Sequence, residues 1–418
     1  MDLSRLGADE ATCACSAAPE RPVQPLSHLR VLDLSQVMAG PFCCMLLGDM
    51  GADVIKVEPP AGGDQTRKAM GFRMKGTDSP GFLALNRNKR SIALNLKSAA
   101  GREIFYKLVE TADIVVENGR PGVVQKLGVD YQTLSRINPR IIYASISGFG
   151  QTGPWSQRPG FDLIAQAMSG IMSAMGIPGR EPVKSGVPVG DLGAGLFALY
   201  GILSAVIGRE KTGLGQFIDT SLFEAALGLS IWETTELWAT GKSPQPLGTA
   251  NRMSAPYQAF EACDGKFVVG AANQKLWQAF CTVIERPDLL SDSRFAENKD
   301  RLQNLVPLVK DLQQVFRQKP VSHWVNAFLT AGVPAGPIHD YGEVVASDHV
   351  AARDMVINVA HPVEGSIKSL GFPVKLSETP QQVRRHPPLL AEHRDEILRE
   401  LGLDGLVEGY AATGAFTS

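Results

Sequence analysis

Histidine is sparse in this chain of 418 residues, which contains seven histidines and none between residues 29 and 322. Imidazole is the commonest general base and a frequent metal ligand. The long stretch without it therefore has to perform any chemistry with other groups. The G-x-S-x-G motif of serine hydrolases is missing as well, which disfavours acyl transfer through an activated serine. We predict no metal site and no serine nucleophile.

The chain also lacks a long apolar run and a dominant charge. No stretch reaches the roughly 18 consecutive apolar residues that a membrane helix needs. Because 41 basic residues face 43 acidic ones, nucleic acid and anionic membranes are not expected as main ligands. The six cysteines show no zinc spacing. These features predict a cytoplasmic globular protein.

The first 27 residues carry acidic side chains at Asp2, Asp9, Glu10 and Glu20 and contain no apolar segment of the kind that directs export. We interpret residues 1–27 as a flexible N-terminal extension.

From Leu29 onward, β-rich runs alternate with helical patterns, which is typical of an α/β fold with a mostly parallel sheet. Strands are predicted near 30–35, 53–58, 91–96, 113–118, 141–147 and 216–222. Helices are predicted at 41–49, 99–111, 162–174 and 193–208. Residues 28–224 are therefore predicted as a large Rossmann-like domain.

Beyond this domain the pattern changes to a helical stretch through Trp232 and Trp238, a loop rich in proline and glycine, and a hairpin that turns at Asp264 and Gly265. We predict a smaller α+β domain at 225–331. Residues 332–418 are interpreted as a linker, GVPAGPI, followed by a return to the large domain with strands near 355 and 370.

Gly148, Gly150 and Gly153 have the G-x-G-x-x-G spacing of a dinucleotide fingerprint, and they follow a predicted strand. The context does not fit, because Pro154 and a further loop precede the next helix and no strand ending in an acidic residue follows at the required distance. We interpret these glycines as a loop that a different ligand approaches closely.

Asp191 lies between Gly190 and Leu192 at the predicted start of an apolar helix. One interpretation is structural, since aspartate commonly caps a helix by accepting backbone N–H groups. The other is functional, since a helix N-terminus keeps a carboxylate ionised and neighbouring glycines leave room for an acyl group. A carboxylate in that setting is a possible covalent nucleophile.

Four motifs together resemble one known family. These motifs are VLDLSQVMAGPFCCMLLGDMGADVIKVEPPAGGDQTR, NRNKRSIALNLKSAAGR, DIVVENGRPGVVQKLGVDY and VPVGDLGAGLFALYGIL. They are similar to the class III, or CaiB/BaiF-type, CoA-transferases, and the resemblance runs from about residue 29 to the C-terminus. It implies that Asp191 is the catalytic nucleophile, that an acyl-CoA and a free carboxylic acid are the substrates, and that no cofactor is needed. It also implies an interlocked homodimer.

The resemblance further implies where CoA binds. Its phosphates would meet basic side chains and free helix N-termini, with Arg67 as one candidate. The implied CoA-binding positions are Val37, Met38, Ala39, Leu94, Lys97, Asn118, Gly119, Arg120 and Lys126. Backbone amides in the loop of Gly148 and Gly150 and in the turn before Asp191 are the candidate partners of the substrate oxygen.

Two differences from the family bear on the substrate. Pro59 stands where some members place an arginine for the nucleotide, and Met38 stands where formyl-CoA transferase places a glutamine, which disfavours oxalate and formate. The segments GFGQTGPWSQRPGFD and GTANRMSAPYQAF resemble the dicarboxylate-using branch typified by succinyl-CoA:glutarate CoA-transferase. In that branch Arg158 or Arg252 could pair with the distal carboxylate of a diacid. Asp162 could support the active site, cap its own helix, or both.

Two other functions are weighed against CoA transfer. An α-methylacyl-CoA racemase of the same fold would use a histidine together with the aspartate, and the matching stretch SQRPGFD contains none. A non-catalytic CoA-binding protein would not require an aspartate between small residues at this position.

Overall fold

The computed structural model describes residues 24–68 and 74–417. Most of the predicted N-terminal extension lies outside these residues. Its last part is attached to the fold, because Leu26 is buried and its N–H donates to the carbonyl of Met50 at 3.0 Å.

The described part of the chain up to residue 240 contains six strands and ten α-helices. The strands are β1 Arg30–Asp33, β2 Asp53–Glu58, β3 Lys89–Ala93, β4 Ile114–Glu117, β5 Ile142–Ser147 and β6 Phe217–Ser221. The helices are α1 Ala39–Asp49, α2 Pro80–Leu85, α3 Ala99–Thr111, α4 Val123–Leu127, α5 Tyr131–Ile137, α6 Asp162–Met168, α7 Ile171–Ala174, α8 Val189–Thr212, α9 Leu222–Leu229 and α10 Ile231–Thr240.

All six strands are parallel and lie in the order β3-β2-β1-β4-β5-β6. The chain order reverses between β1 and β4, so the loops that leave these two strands diverge and open a crevice at the carboxyl edge of the sheet. Both faces are covered, and every residue of β1, β4 and β5 except Arg30 is accordingly buried. The predicted mostly parallel sheet is confirmed.

Helix α8 covers one face of the sheet together with α1, and its small residues allow close packing. A Cβ added at Gly195 would lie 2.7 Å from the carbonyl oxygen of Ala39, the first residue of α1. By length and composition α8 could cross a membrane, with a mean hydropathy of 1.6. Its buried residues instead belong to the core between the sheet and α9. The opposite face of the sheet packs against α3 and α5.

The small domain has its own core around Trp277, Phe280 and Phe316. Its elements are β7 Tyr257–Glu261, β8 Lys266–Gly270, α11 Gln274–Val283, α12 Asp288–Ser291, α13 Asn298–Gln303, α14 Leu305–Phe316, α15 Val321–Thr330 and β9 Ala335–Pro337. Strand β9 pairs with β8 and completes an antiparallel sheet of three strands. The GVPAGPI segment, interpreted as a linker, is therefore partly a strand of this sheet.

The C-terminal segment runs from the small domain back to the large one. Its elements are α16 Tyr341–Val345, α17 Asp348–Ala352, β10 Val356–His361, β11 Gly365–Leu370, α18 Arg394–Glu400 and α19 Val407–Ala412. Ile397 and Leu398 of α18 enter the core beside α3 and α5. Strands β10 and β11 form an antiparallel hairpin that contacts the side chain of Arg87.

Several element boundaries predicted from the sequence were wrong. The helix predicted at 162–174 is two helices, because Gly170 adopts a φ of 94° between them. The helical stretch through the tryptophans also breaks, at Ser230. Strand β3 begins at Lys89 rather than at residue 91. The earlier start was not predicted because a charged residue such as Lys89 is rarely buried in a strand.

Candidate active site

A cavity of about 660 Å³ lies at the carboxyl edge of the large sheet, outside β1 and β4. Several loops supply its walls, and the first turn of α8 supplies Asp191. The main contributors are Leu34, Gln36–Met38, Glu58–Ala61, Leu94–Lys97, Glu117–Arg120, Ile146–Gly148, Gly160–Phe161 and Asp191. The cavity thus occupies the place where open α/β sheets bind their ligands.

Asp191 is the third residue of α8 and does not cap its own helix, which begins after Pro188. Asp162 of α6 takes the capping role, because its Oδ1 accepts the N–H groups of Gly190 at 2.8 Å and Asp191 at 3.3 Å. Within the described residues no donor is recorded for the Asp191 carboxylate itself. The nucleophile predicted from the sequence is therefore held through its backbone, with its carboxylate available to a ligand.

Burial, followed by the charge of Asp162, raises the pKa of Asp191 to about 6. The sequence alone suggested that the helix N-terminus would keep this carboxylate ionised. In the structure burial opposes that effect. At neutral pH the carboxylate is still mostly ionised, and it is more basic than an exposed aspartate.

Asp162 is fixed by further hydrogen bonds. Its Oδ2 accepts the side-chain N–H of Gln166 at 2.6 Å, and the other end of that amide accepts the N–H of Ser185 at 2.9 Å. These hydrogen bonds connect the loop before Asp191, through Ser185, to Gln166 and Asp162 of α6. The prediction that Asp162 caps its own helix was wrong, because Phe161 is the N-cap of α6; Asp162 instead caps α8, the helix that carries Asp191.

The loop after β1 forms the wall that contains Val37 and Met38. Val37 has a φ of 70°, an unfavourable conformation for a β-branched residue. Two side chains hold it: Asp64 accepts the N–H of Val37 at 3.2 Å, and Asn118 accepts the N–H of Gln36 at 2.8 Å while donating to its carbonyl at 2.6 Å. Both polar atoms of Asn118 thus contact the protein, so the residue shapes the loop.

Buried charges lie beneath this loop. Lys56 contacts Asp64 at 2.9 Å and donates to the carbonyl of Ser35 at 2.9 Å, while Lys89 contacts Asp33 at 2.8 Å. Burial opposes the charge of Asp33, but Lys56 and Lys89 outweigh it and lower the pKa of Asp33 to about 2. These ion pairs are satisfied internally and support the loop from below.

The other predicted CoA positions are divided between the cavity and its surroundings. Leu94, Lys97, Gly119 and Arg120 line the cavity, together with Val37, Met38 and Asn118. Lys97 and Arg120 are exposed at its edge. Ala39 is buried as the first residue of α1. Lys126 lies on α4, whose neighbouring Val123, Val124 and Leu127 face the cavity.

Arg67 is not free to bind a phosphate in this structure. Its guanidinium is buried, contacts Glu58 at 2.7 Å and Asp78 at 2.8 Å, and stacks on Phe82. The suggestion that Arg67 holds a CoA phosphate conflicts with this arrangement, because a buried charge already satisfied by two carboxylates has little affinity left for an anion.

The predicted substrate-binding residues lie at different distances from the cavity. Gly148 lines it and packs directly against Gly160, another lining residue, because a Cβ at Gly148 would lie 3.0 Å from the Cα of Gly160. Gly150, with a φ of 88°, does not line the cavity, and its N–H donates to the hydroxyl of Ser147, the last residue of β5, at 2.9 Å. Arg158 is exposed, two residues before Gly160, and its guanidinium lies 5.2 Å from the ring centre of Trp155.

Arg252 is occupied elsewhere. Its guanidinium contacts Glu236 at 3.1 Å and donates to the carbonyl of Gln245 at 2.7 Å. The structure does not bring it to the cavity wall with Asp191.

Glu117 and Asp64 were missed by the sequence analysis. Glu117 lines the cavity at the end of β4, is buried, and has its pKa raised to about 7 by burial. A signal was available, because an acidic residue ending an apolar strand beside Asn118 has to lie in the crevice. No sequence pattern indicated the role of Asp64, because its partner Val37 lies 27 positions away in the sequence.

This arrangement defines a class of protein: an α/β enzyme with an elongated ligand crevice at the switch point of its sheet and a partly buried aspartate as the reactive group. The chain belongs to CoA-transferase family III, whose family model matches residues 26–394. It is a CoA-transferase. Within residues 24–68 and 74–417, no cluster of three metal-binding side chains occurs.

Proteins of known name and a solved structure can be aligned with most of this chain. The chain is 40% identical to the human succinyl-CoA:glutarate CoA-transferase, over 91% of this chain and 86% of the relative. It is 43% identical to the acetyl-CoA:oxalate CoA-transferase of Acetobacter aceti, over 86% of this chain and 91% of the relative. A crystal structure of a CaiB/BaiF family protein from Brucella suis superposes with a TM-score of 0.80 at 38% identity, covering 90% of this chain and 99% of that one.

Proposed function

We propose that this enzyme moves CoA from an acyl-CoA, succinyl-CoA in particular, to a dicarboxylic acid such as glutarate, with Asp191 as the covalent carrier and no cofactor. The observation that carries the proposal is the Asp191 carboxylate, which lies in the cavity wall and is held only through the backbone of its helix. The names of the similar proteins, which pair acyl-CoA donors with dicarboxylic acids, support the substrate class.

The reaction balances without a metal or a redox step. An oxygen of Asp191 attacks the thioester carbonyl, the carbon–sulfur bond breaks, and a mixed anhydride and CoA thiolate result. The thiolate then attacks the aspartyl carbonyl, releasing the donor acid and leaving an aspartyl-CoA thioester. The acceptor carboxylate attacks that carbonyl and expels the thiolate, which returns to the acceptor carbonyl and frees Asp191.

The protein contributes mainly positioning to these steps, because anhydrides and thioesters exchange among intermediates of comparable energy. CoA would extend along the wall formed by Leu94–Lys97 and Asn118–Arg120, with Lys97 and Arg120 at its phosphates. Backbone N–H groups near Gly148 would stabilise the tetrahedral intermediates.

We also propose that the active form is a homodimer. Large aromatic side chains on α8 and α10 are exposed in the single chain: Tyr200 by 64%, Trp232 by 64% and Trp238 by 78%. Exposed apolar surface of this size commonly marks an interface. Light scattering at micromolar concentration should give twice the mass of one 44.9 kDa chain. A monomer at that concentration would contradict the proposal.

The test of function is an incubation of the enzyme with succinyl-CoA and a panel of free acids: glutarate, malate, citramalate, itaconate, mesaconate, oxalate and carnitine. Mass spectrometry follows new CoA esters, with Asp191→Asn as the control. Oxalate belongs in the panel because a relative at 43% identity carries that name, although Met38 disfavours it. Epimerisation of a branched acyl-CoA with no transfer to any acid would instead indicate a racemase.

A further inference from the structure

Three polar residues form a row across the carboxyl edge of the large sheet. Glu117 in β4 pairs in register with Ser145 in β5, which pairs in register with Asp219 in β6. Residues in register on neighbouring parallel strands point to the same face of a sheet, so these side chains lie side by side. We call Glu117, Ser145 and Asp219 the carboxyl-edge row.

Gln151 attaches the glycine loop to this row. Its side-chain N–H donates to Ser145 Oγ at 2.9 Å, and its backbone N–H donates to Asp219 Oδ2 at 3.0 Å. Gln151 lies in the loop that begins at Gly148, one of the residues lining the cavity. The position of that wall is therefore set by two hydrogen bonds to the row.

Glu117, at the other end of the row, holds the loop that contains Gly119, one of the residues proposed to bind CoA. Glu117 Oε2 accepts the N–H of Gly119 at 2.6 Å, while its Oε1 accepts the hydroxyl of Ser145. A Cβ at Gly119 would lie 3.2 Å from Oε2, so glycine allows the loop to fold back onto the carboxylate. Gly119, Glu117, Ser145 and Gln151 thus form one continuous chain of hydrogen bonds between two walls of the cavity.

The directions of these hydrogen bonds determine which side chain can occupy position 117. Ser145 accepts from Gln151 and donates to Glu117, so Glu117 must accept with both of its oxygens. An ionised carboxylate presents two oxygens that only accept, whereas an amide presents one. Because burial raises the pKa of Glu117 to about 7, this fully accepting form dominates above that pH. A glutamine has only one oxygen acceptor, so its amide N–H would face either the Gly119 N–H, which would lose its acceptor, or the Ser145 oxygen, where the direction of the hydrogen bond would be reversed. Its negatively charged neighbour Asp219 makes the buried carboxylate harder to maintain, which argues against a purely stabilising role.

We propose that Glu117 is a positioning residue for CoA transfer: it couples the Gly119 loop to the Gly148 loop, through Ser145 and Gln151, and so fixes the width of the cavity around the acyl-CoA. The inference rests on the proposed function for its substrate. It goes beyond that function by assigning the two walls to one mechanical unit, joined by Glu117, Ser145 and Gln151.

The experiment is a double-mutant cycle on Glu117→Gln and Ser145→Ala, read in kcat/KM for succinyl-CoA and in the Kd of free CoA from calorimetric titration. If the row acts as a unit, each single variant lowers kcat/KM by about tenfold, the scale expected for a lost hydrogen bond to a charged group. The double variant should then be no worse than either single one. Ser145→Thr, which keeps the hydroxyl, should restore most of the activity.

Ser135→Ala on α5, away from the cavity, is the matched control and should leave both quantities unchanged. Thermal unfolding is measured for every variant. Because Gln151 lies in a surface loop, Gln151→Met provides a variant that keeps the buried row intact, and it should reproduce the loss seen for Ser145→Ala.

Two results would overturn the proposal: folded single variants with unchanged kcat/KM and CoA Kd, or losses that multiply in the double variant, which would mean that the residues act independently. Failure of the proposed function looks different, since the wild type itself would then transfer no CoA. In that case the CoA Kd still decides whether the row positions the ligand.

Discussion

The Asp162 carboxylate accepts the backbone N–H of Asp191 at 3.3 Å, so the residue that holds the helix of the nucleophile also places a second negative charge beside it. The two effects oppose each other. The hydrogen bonds fix the first turn of α8, while the charge, added to the effect of burial, raises the pKa of Asp191 to about 6. A raised pKa makes the ionised carboxylate a stronger nucleophile. It also means that a larger fraction of Asp191 is protonated, and therefore unreactive, in mild acid.

The pH dependence of the first half-reaction should follow from this arrangement. The reactive form of Asp191 is the anion, so kcat/KM for the acyl-CoA should fall as the pH decreases through about 6. Asp162→Asn removes the neighbouring charge and keeps an oxygen that can accept the N–H groups of Gly190 and Asp191. The acidic limb of the pH profile should therefore move to lower pH, as measured by initial rates between pH 4.5 and 8 with stability checked at each value.

The control is Gln166→Leu, which loosens Asp162 by removing its 2.6 Å hydrogen bond without changing any charge. It should reduce kcat while the acidic limb stays near its wild-type position. An unchanged limb in Asp162→Asn would show that burial alone sets the pKa of Asp191.

Asn118 should matter for acyl-CoA binding through Gln36. Asn118→Asp keeps the oxygen that accepts the Gln36 N–H, but it turns a second oxygen toward the Gln36 carbonyl, which now receives a hydrogen bond at 2.6 Å. We expect KM for the acyl-CoA to rise by about tenfold, because the strained loop at Val37 is fixed by hydrogen bonds to Asp64 and Asn118 and those to Asn118 are weakened. Steady-state kinetics with a saturating acceptor measure the effect.

Asn138→Asp is the matched control. The Asn138 amide also donates to backbone carbonyls, those of Val109 and Ala112, but it lies away from the cavity. It should lower the thermal stability and leave KM unchanged. Equal changes in KM for the two variants would mean that a general loss of stability explains the result.

The close packing of α8 on α1 offers a test within one helix. A Cβ at Gly195 would meet the Ala39 carbonyl at 2.7 Å, so Gly195→Ala must displace backbone. We expect a loss of about 1–3 kcal/mol in the free energy of unfolding, together with reduced activity, because α8 carries Asp191. Gly208→Ala on the same helix meets nothing within 4 Å and should stabilise by about 0.5–1 kcal/mol. Denaturant titrations compare the two, and a destabilising Gly208→Ala would contradict the interpretation.

The features that the sequence predicted well are local ones. Each strand of the large sheet contains at least two consecutive apolar residues, and Asp191 stands among glycines at the start of an apolar helix, so neighbouring residues are enough to locate these features. The supports of the site depend on distant partners instead. Asn118 reaches Gln36 across 82 positions and Asp64 reaches Val37 across 27. No periodicity records such pairs, which is why the hydrogen bonds of Asn118 and Asp64 to this loop could not be predicted from the sequence.

The two arginines considered for a diacid acceptor should behave differently. Arg252 is mostly buried among Glu236, Glu233 and two carbonyls, so Arg252→Gln should lower the melting temperature and leave the preference for diacids over monoacids unchanged. Arg158 is exposed beside Trp155, two residues from Gly160 in the cavity wall, and a guanidinium there can bind a distal carboxylate in bidentate fashion.

Arg158→Gln should therefore raise KM for glutarate by about tenfold while KM for a monoacid of similar length, such as valerate, changes little. Arg158→Lys separates charge from geometry, because an ammonium keeps the charge and cannot form the bidentate pair. Competition between glutarate and valerate, read as the ratio of the two CoA esters by mass spectrometry, is the measurement. If the ratio moves with Arg252 and not with Arg158, the acceptor is bound by the face that contains α10, and the exposed loop at Arg158 has no part in selecting it.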